Sequence, residues 1–463
     1  MFLHEEATAM SITDIRGQIL SGATPEAAIG YSDAVSQFAM FSGDPIAAAD
    51  RLIEREPGLV MAHALRAWLY LLGGEPAGRP AAHAAIESAR VLPATLQERG
   101  HLAALGHLAS GRLHEASRVI EDVAIEQPLD LLALIAGHQL DFFTGNARML
   151  RDRIARALPA WSKGVPGRHS ALAMYAFGLE ENGQYGLAEQ NGRIAISDEP
   201  RDGWARHAVA HVLEMEGRHD EGIAFMREDL PSWTTNSFLA VHNWWHLALY
   251  HLELGQIDEV LELVDGPITS IAEPQLLDLI DASAMLWRLH LRGVELSQRW
   301  HVLARRFEAI WGAGGYAFND LHAIMAFIGA GRRDLVENTL QQQAFAMLSA
   351  SDNAGFAGDV GYPLMKAFAA FGEGRYGEAV RLIRPVRSIA ARFGGSNAQR
   401  DIIDLTLIEA AFRAGDRPLA RALAAERVAA KHESPLAQLF ARRAGTQECG
   451  DCRTVACAKS KAA

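Results

Sequence analysis

Two histidine couplets stand at matching places in consecutive repeats of the chain, His207-Ala-Val-Ala-His211 and His242-Asn-Trp-Trp-His246. Residues four apart share a helix face, so each couplet points two imidazoles the same way. Neighbouring repeats then set the two faces side by side. Imidazole titrates near neutrality, which suits it to general acid–base work on a small polar molecule. Asp281, one repeat further on, is the natural carboxylate to hold an imidazole in one tautomer, and His246 is the central ring it would orient. His207, His211, His242, His246 and Asp281 are therefore the candidate catalytic set.

The same five residues raise the question of a metal. Two His-x3-His pairs and an acid could hold zinc or another divalent ion, or a di-metal centre. Against that, His-Ala-Val-Ala-His lacks the internal glutamate of His-Glu-x-x-His, and carboxylates are scarce in the adjoining turns. No cofactor or metal is assigned on these grounds; zinc or another divalent metal at the cluster is the alternative. Further along, Trp245 and Trp287 could wall a pocket, and His322 could extend the histidine row. Arg400 with Asp401 could face it and grip a substrate carboxylate if the fold closes far enough. Gly394-Gly395-Ser396 lacks the spacing and lysine of a phosphate loop and reads as a turn with Ser396 near a helix N-cap. His138, His169 and His251 read as packed or capping residues.

Elements must position these side chains, and the chain announces them by repetition. A glycine recurs in the same setting at 43, 74, 111, 145, 183, 217, 255, 293, 331, 374 and 415. Each follows an apolar helical segment and precedes, after one to three mainly polar residues, a second amphipathic one. Glycine takes the left-handed conformation that ends a helix without a Cβ clash. Separations of 31 to 43 residues with no strand pattern between them predict stacked helical hairpins. His207 stands ten residues before its turn glycine, and His246 and His322 nine before theirs. That equivalent register, within one residue, predicts a row on the inner face.

Two units fit the tetratricopeptide pattern at many offsets. One runs from Tyr175-Ala-Phe-Gly-Leu-Glu-Glu-Asn-Gly-Gln-Tyr to Pro200, the other from Ala369-Ala-Phe-Gly-Glu-Gly-Arg-Tyr to Pro385. The expected fold is all-α: one right-handed α-solenoid of about ten or eleven tetratricopeptide-like hairpins over residues 26–444. Residues 1–25 and 445–463 are expected as flexible ends. The central stretch is more specific. Phe177-Gly-Leu-Glu-Glu, Asp202-Gly-Trp-Ala-Arg-His, His242-Asn-Trp-Trp-His, Asp281-Ala-Ser-Ala-Met-Leu-Trp, Phe318-Asn-Asp-Leu-His-Ala and Gly394-Gly-Ser-Asn-Ala-Gln-Arg-Asp resemble the tetratricopeptide repeat protein 38 family. The likeness reaches from roughly the first hairpin to Ser434-Pro435 and departs only in the cysteine-bearing tail. It implies a helical-repeat fold and brings no catalytic residue set with it.

Bulk properties exclude other classes. A chain of 463 residues, 49% hydrophobic and 22% charged, can bury an extensive core. A net charge of −12 argues against nucleic acid and anionic membranes as general partners. The start shows no secretory pattern and no apolar run approaches a membrane span, so a cytoplasmic setting is expected. Cys449, Cys452 and Cys457 all lie in the tail and lack a fourth metal ligand. Two functions compete: an enzyme carrying out hydrolysis or elimination in a histidine-rich pocket, and a scaffold binding a peptide or partner protein in a concave groove.

Overall fold

The structure is a computed structural model and describes residues 11–446. All eleven turn glycines have positive φ, between 64° and 77°. Each separates two antiparallel helices, from Pro25–Met40 with Pro45–Arg55 to Asn397–Arg413 with Arg417–Ala430, giving eleven hairpins. A final helix, Pro435–Thr446, covers the last of them. Among the described residues, β-pairing is confined to two isolated bridges. No described helix is long and apolar enough to cross a membrane.

Local chemistry sets the helix starts. Thr24, Asp44, Asp130, Asn146 and Asp416 each accept from a first-turn backbone N–H, relieving the unpaired donors of a helix N-terminus. Ser396 does the same in a reciprocal box with Gln399, so the glycine pair before it is a helix entry and not a phosphate loop.

The feature that matters for function is how tightly the solenoid winds. The turn of the first hairpin bonds the entry to the seventh: Gly43 N donates to Asn236 O at 2.8 Å, and Phe238 N to Phe41 O at 3.0 Å. Glu75 of the second accepts from Leu276 N of the eighth at 3.1 Å. Glu181 of the fifth accepts from Asn397 N of the eleventh at 2.8 Å. One superhelical turn is thus complete after about six hairpins, and the next lies directly on it. The first helices are enclosed as a result. In Gly203–Met215 every residue from Gly203 to Glu214 is buried, the polar Arg206, His207, His211 and Glu214 included.

Both described ends pack onto the hairpins. Residues 11–24, within the segment expected to be flexible, form a packed turn. Thr13 pairs with Ile19, Asp14 and Arg16 are buried as an ion pair, and Ser21 N donates to Glu98 Oε1 at 2.8 Å. At the other end, Leu436, Phe440 and Ala444 belong to the core, so the last helix is part of the folded body. The three cysteines lie outside the described residues.

Candidate functional site

The couplets meet. Ring centroids of His207 and His211 are 4.4 Å apart, those of His211 and His246 4.4 Å, His207 and His242 4.8 Å, and His242 and His246 5.0 Å. All four residues are at most 5% exposed. One ring nitrogen from each falls within 4.8 Å of the other three. Helices Gly203–Met215 and Ala240–Glu253 pack side by side, which is what the matched spacing of the couplets requires.

The hydrogen bonds define a chain. His242 Nδ1 donates to both Asp281 oxygens, at 2.8 and 2.9 Å. Its Nε2 lies 3.0 Å from His207 Nε2. With the Nδ1 proton committed to Asp281, a neutral His242 offers Nε2 as an acceptor, and His207 must supply the proton between them. His246 Nδ1 donates to Glu214 Oε2 at 3.3 Å, and His211 Nδ1 lies 3.3 Å from Glu180 Oε2. His246 Nε2, His207 Nδ1 and both nitrogens of His211 have no hydrogen-bond partner. Natural interiors leave few polar atoms in that state.

Burial governs the charges. It drives His207 and His246 well below the ordinary histidine range, with the neighbouring rings adding to the effect, and lowers His211 to about 4. Burial also raises Glu180 to about 8, helped by Glu214, and Glu181 to about 7, helped by Glu180. It raises Asp281 as well, against the pull of His242. Near neutral pH these three rings are uncharged, each with a nitrogen lone pair free of a proton.

A cavity of about 890 Å³ reaches the cluster. Its wall carries aromatic rings, among them Phe38, Phe41, Phe177 and Trp204, and polar or charged groups such as Glu75, Arg79, Gln139, Asn319 and Gln399. His207 and His242 line it; His211 and His246 stand behind them. Trp204 stacks on His207 with centroids 4.5 Å apart. Asp44, Gly73, Arg79 and His83, also on the wall, are exposed, so the space runs from the surface at the first two hairpins to the two rings.

Several expected site residues lie elsewhere. Asp281 orients His242 and not His246, whose partner is Glu214. His322 is buried with Nδ1 donating to Phe318 O at 2.8 Å, and its ring is outside the cluster because the helix Leu276–Leu291 stands between. Trp245 is core, stacked behind His242. Trp287 is also core: its Nε1 donates to Thr406 Oγ1 at 3.0 Å and its ring stacks on Phe368. The superhelix does close enough to bring Arg400 inward, yet its guanidinium bonds Glu181 and the 394–397 turn, leaving it behind His211. Asp401 forms two bonds to Arg427 at 2.9 and 3.0 Å, which hold its carboxyl below the usual range despite burial.

Carboxylates are not scarce around the rings, as the adjoining turns had suggested. Glu180, Glu181 and Glu214 come from helix bodies. Glu214 follows His211 by three residues and so shares its face, a signal available in the sequence. Arg288, seven after Asp281, is a buried cation over the Trp245 ring at 5.2 Å. His169 and His251 bond Asp202 and Gln256 respectively, the capping and packing roles expected of them.

These elements define a tetratricopeptide-like helical-repeat protein with a polar cluster enclosed between its superhelical turns. No family model matches the chain. Among solved structures it is similar to a human IFIT1 dimer with m7Gppp-AAAA, at 15% identity over 93% of this chain and 96% of that one, with a TM-score of 0.41. It is also similar to the P58(IPK) TPR domain, at 13% identity over 84% of this chain and 99% of that one, with a TM-score of 0.21.

Proposed function

We propose that the protein is an enzyme whose reaction centre is the buried histidine cluster, acting by hydrolysis or elimination on a small molecule admitted through the aromatic cavity. The observation that carries this reading is the cavity itself: about 890 Å³ of space ends on His207 and His242. That volume falls in the range of small-molecule sites, roughly 300–1,000 Å³. In this reading Asp281 fixes His242, His242 and His207 share one proton, and the pair takes a proton from water or substrate at the cavity wall. The aromatic wall suits a substrate with an apolar or aromatic body and a polar reacting group. A peptide scaffold would need an open concave groove, and the bonds between superhelical turns fill that space with the chain's own helices. We place the chain as a bacterial member of the tetratricopeptide repeat protein 38 family, working in the cytoplasm, on the motifs quoted above.

The test is to incubate the full chain with a small-molecule cell extract and follow its components by mass spectrometry. Hydrolysis gives products whose masses sum to substrate plus water; elimination gives products that sum to the substrate alone. At least one component should be consumed by the wild type and spared by His207→Gln and His242→Gln, both folded by circular dichroism. Equal consumption by these variants, or no consumed component at all, would sink the reading.

A further inference from the structure

We propose that His207, His211, His242 and His246 together bind one divalent first-row transition-metal ion, zinc being the reference. This deepens the reaction-centre reading, on which it rests for the ion's role but not for its binding.

The first support is convergence. Four nitrogens within 4.8 Å of one another form a compact set of neutral donors. Metal–imidazole bonds are about 2.0–2.1 Å, so two ligands bound at angles between right and tetrahedral stand roughly 2.9–3.4 Å apart. The 3.0 Å between His207 Nε2 and His242 Nε2 fits that spacing. An all-imidazole set suits zinc, copper, iron and nickel better than calcium or magnesium.

The second support is the outer layer. Ligating histidines usually give their remaining N–H to a carboxylate or carbonyl, which fixes the tautomer. Here His242 Nδ1 bonds Asp281 at 2.8 Å and His246 Nδ1 bonds Glu214 at 3.3 Å, while Glu180 Oε2 stands 3.3 Å from His211 Nδ1 without a hydrogen bond. Two bonded acids, with Glu180 beside the third outer nitrogen, leave Nε2 as the inward donor on all three rings.

The third is the account of unpartnered atoms. His246 Nε2 and His211 Nε2 are buried with no hydrogen-bond partner. Plain packing would not retain two such nitrogens beside a third pair that must trap a proton between its lone pairs. An ion satisfies all four at once and displaces that proton. Its charge would also offset the acidic groups Glu180, Glu181, Glu214 and Asp281 buried nearby, on which Arg288, Arg400 and Lys431 also act. Because His207 and His242 line the cavity, a further coordination position would face the substrate space.

The experiment strips the full-length chain with a chelator and titrates it with cobalt(II), then with zinc, reading visible absorption and heat. One ion per chain is expected, with cobalt bands bleached by zinc. Asp281→Asn, which preserves shape, should weaken zinc binding by about 10–100-fold. A His211→Gln/His246→Gln double variant, folded by circular dichroism, should show no bands. A full-length variant with Cys449, Cys452 and Cys457 changed to serine should bind as the wild type does. A folded wild type that takes up no ion, bands that survive the double histidine variant, or bands lost with the cysteines would overturn the proposal. If no ion binds yet His207→Gln and His242→Gln still abolish turnover, the metal inference fails and the reaction centre stands. If the ion binds and those variants turn over normally, the reverse holds.

Discussion

His246 and His138 show how burial changes what a single residue does. His246 looks from its spacing like an accessible ring whose removal would cost little stability. In the fold it is fully buried between His211, His242 and Trp245. His246→Ala should therefore lose about 2–4 kcal/mol, as other large-to-small core changes do, along with function. Urea denaturation of the variant measures this, and an unchanged midpoint would contradict it. His138 is lowered to about 3, chiefly by burial and then by Arg153. A histidine held neutral in the fold stabilises it fully above pH 6.5, the unfolded value, and loses that contribution as pH falls toward the folded one. His138→Leu removes this liability. The melting temperature of the variant, relative to wild type, should thus be more favourable at pH 4.5 than at pH 7.5, and a pH-independent difference would count against the assignment.

At the scale of the element, the turn glycines share one conformation but not one environment. Gly145 has φ +64°, and a methyl group there would overlap the Ala391 carbonyl of the opposite superhelical turn. Gly255 has φ +75° and open space around its Cβ position. Alanine at Gly255 should cost about 1–2 kcal/mol, the left-handed penalty alone. Alanine at Gly145 should cost at least about 1–3 kcal/mol more, because the two turns must separate locally. Comparing the two by thermal or chemical denaturation tests whether the superhelix really closes at that point. Equal losses would mean that it does not.

At the scale of the molecule, the stacking of one superhelical turn on the next converts a concave face into an interior. That closure buries the cluster, shifts its protonation and leaves the cavity that reaches it walled by residues of both superhelical turns. The closing helix Pro435–Thr446 completes the core through Leu436 and Phe440. Truncation after residue 446 should accordingly leave the melting temperature and any turnover of the full chain unchanged. A lower melting temperature in the truncated protein would assign the tail a structural role.

What depends on short separations could be read along the chain before any fold was known. Turn glycines mark where one helix stops and another starts, so the hairpin register was legible from Gly43 to Gly415. The i,i+4 spacing of each couplet fixed a shared helix face, and offsets of His207 and His246 from their glycines that differ by one residue brought the two faces together. Tertiary structure decided what depends on the pitch of the superhelix, a quantity summed over six hairpins to which every packing angle contributes. It decided that the inner face is closed, that Arg400 meets Glu181, that Asp281 chooses His242 over His246, and that His322 falls outside. It also decided that Trp245 and Trp287 are core, since a large ring near a site in sequence is placed by its packing partners and not by its distance along the chain.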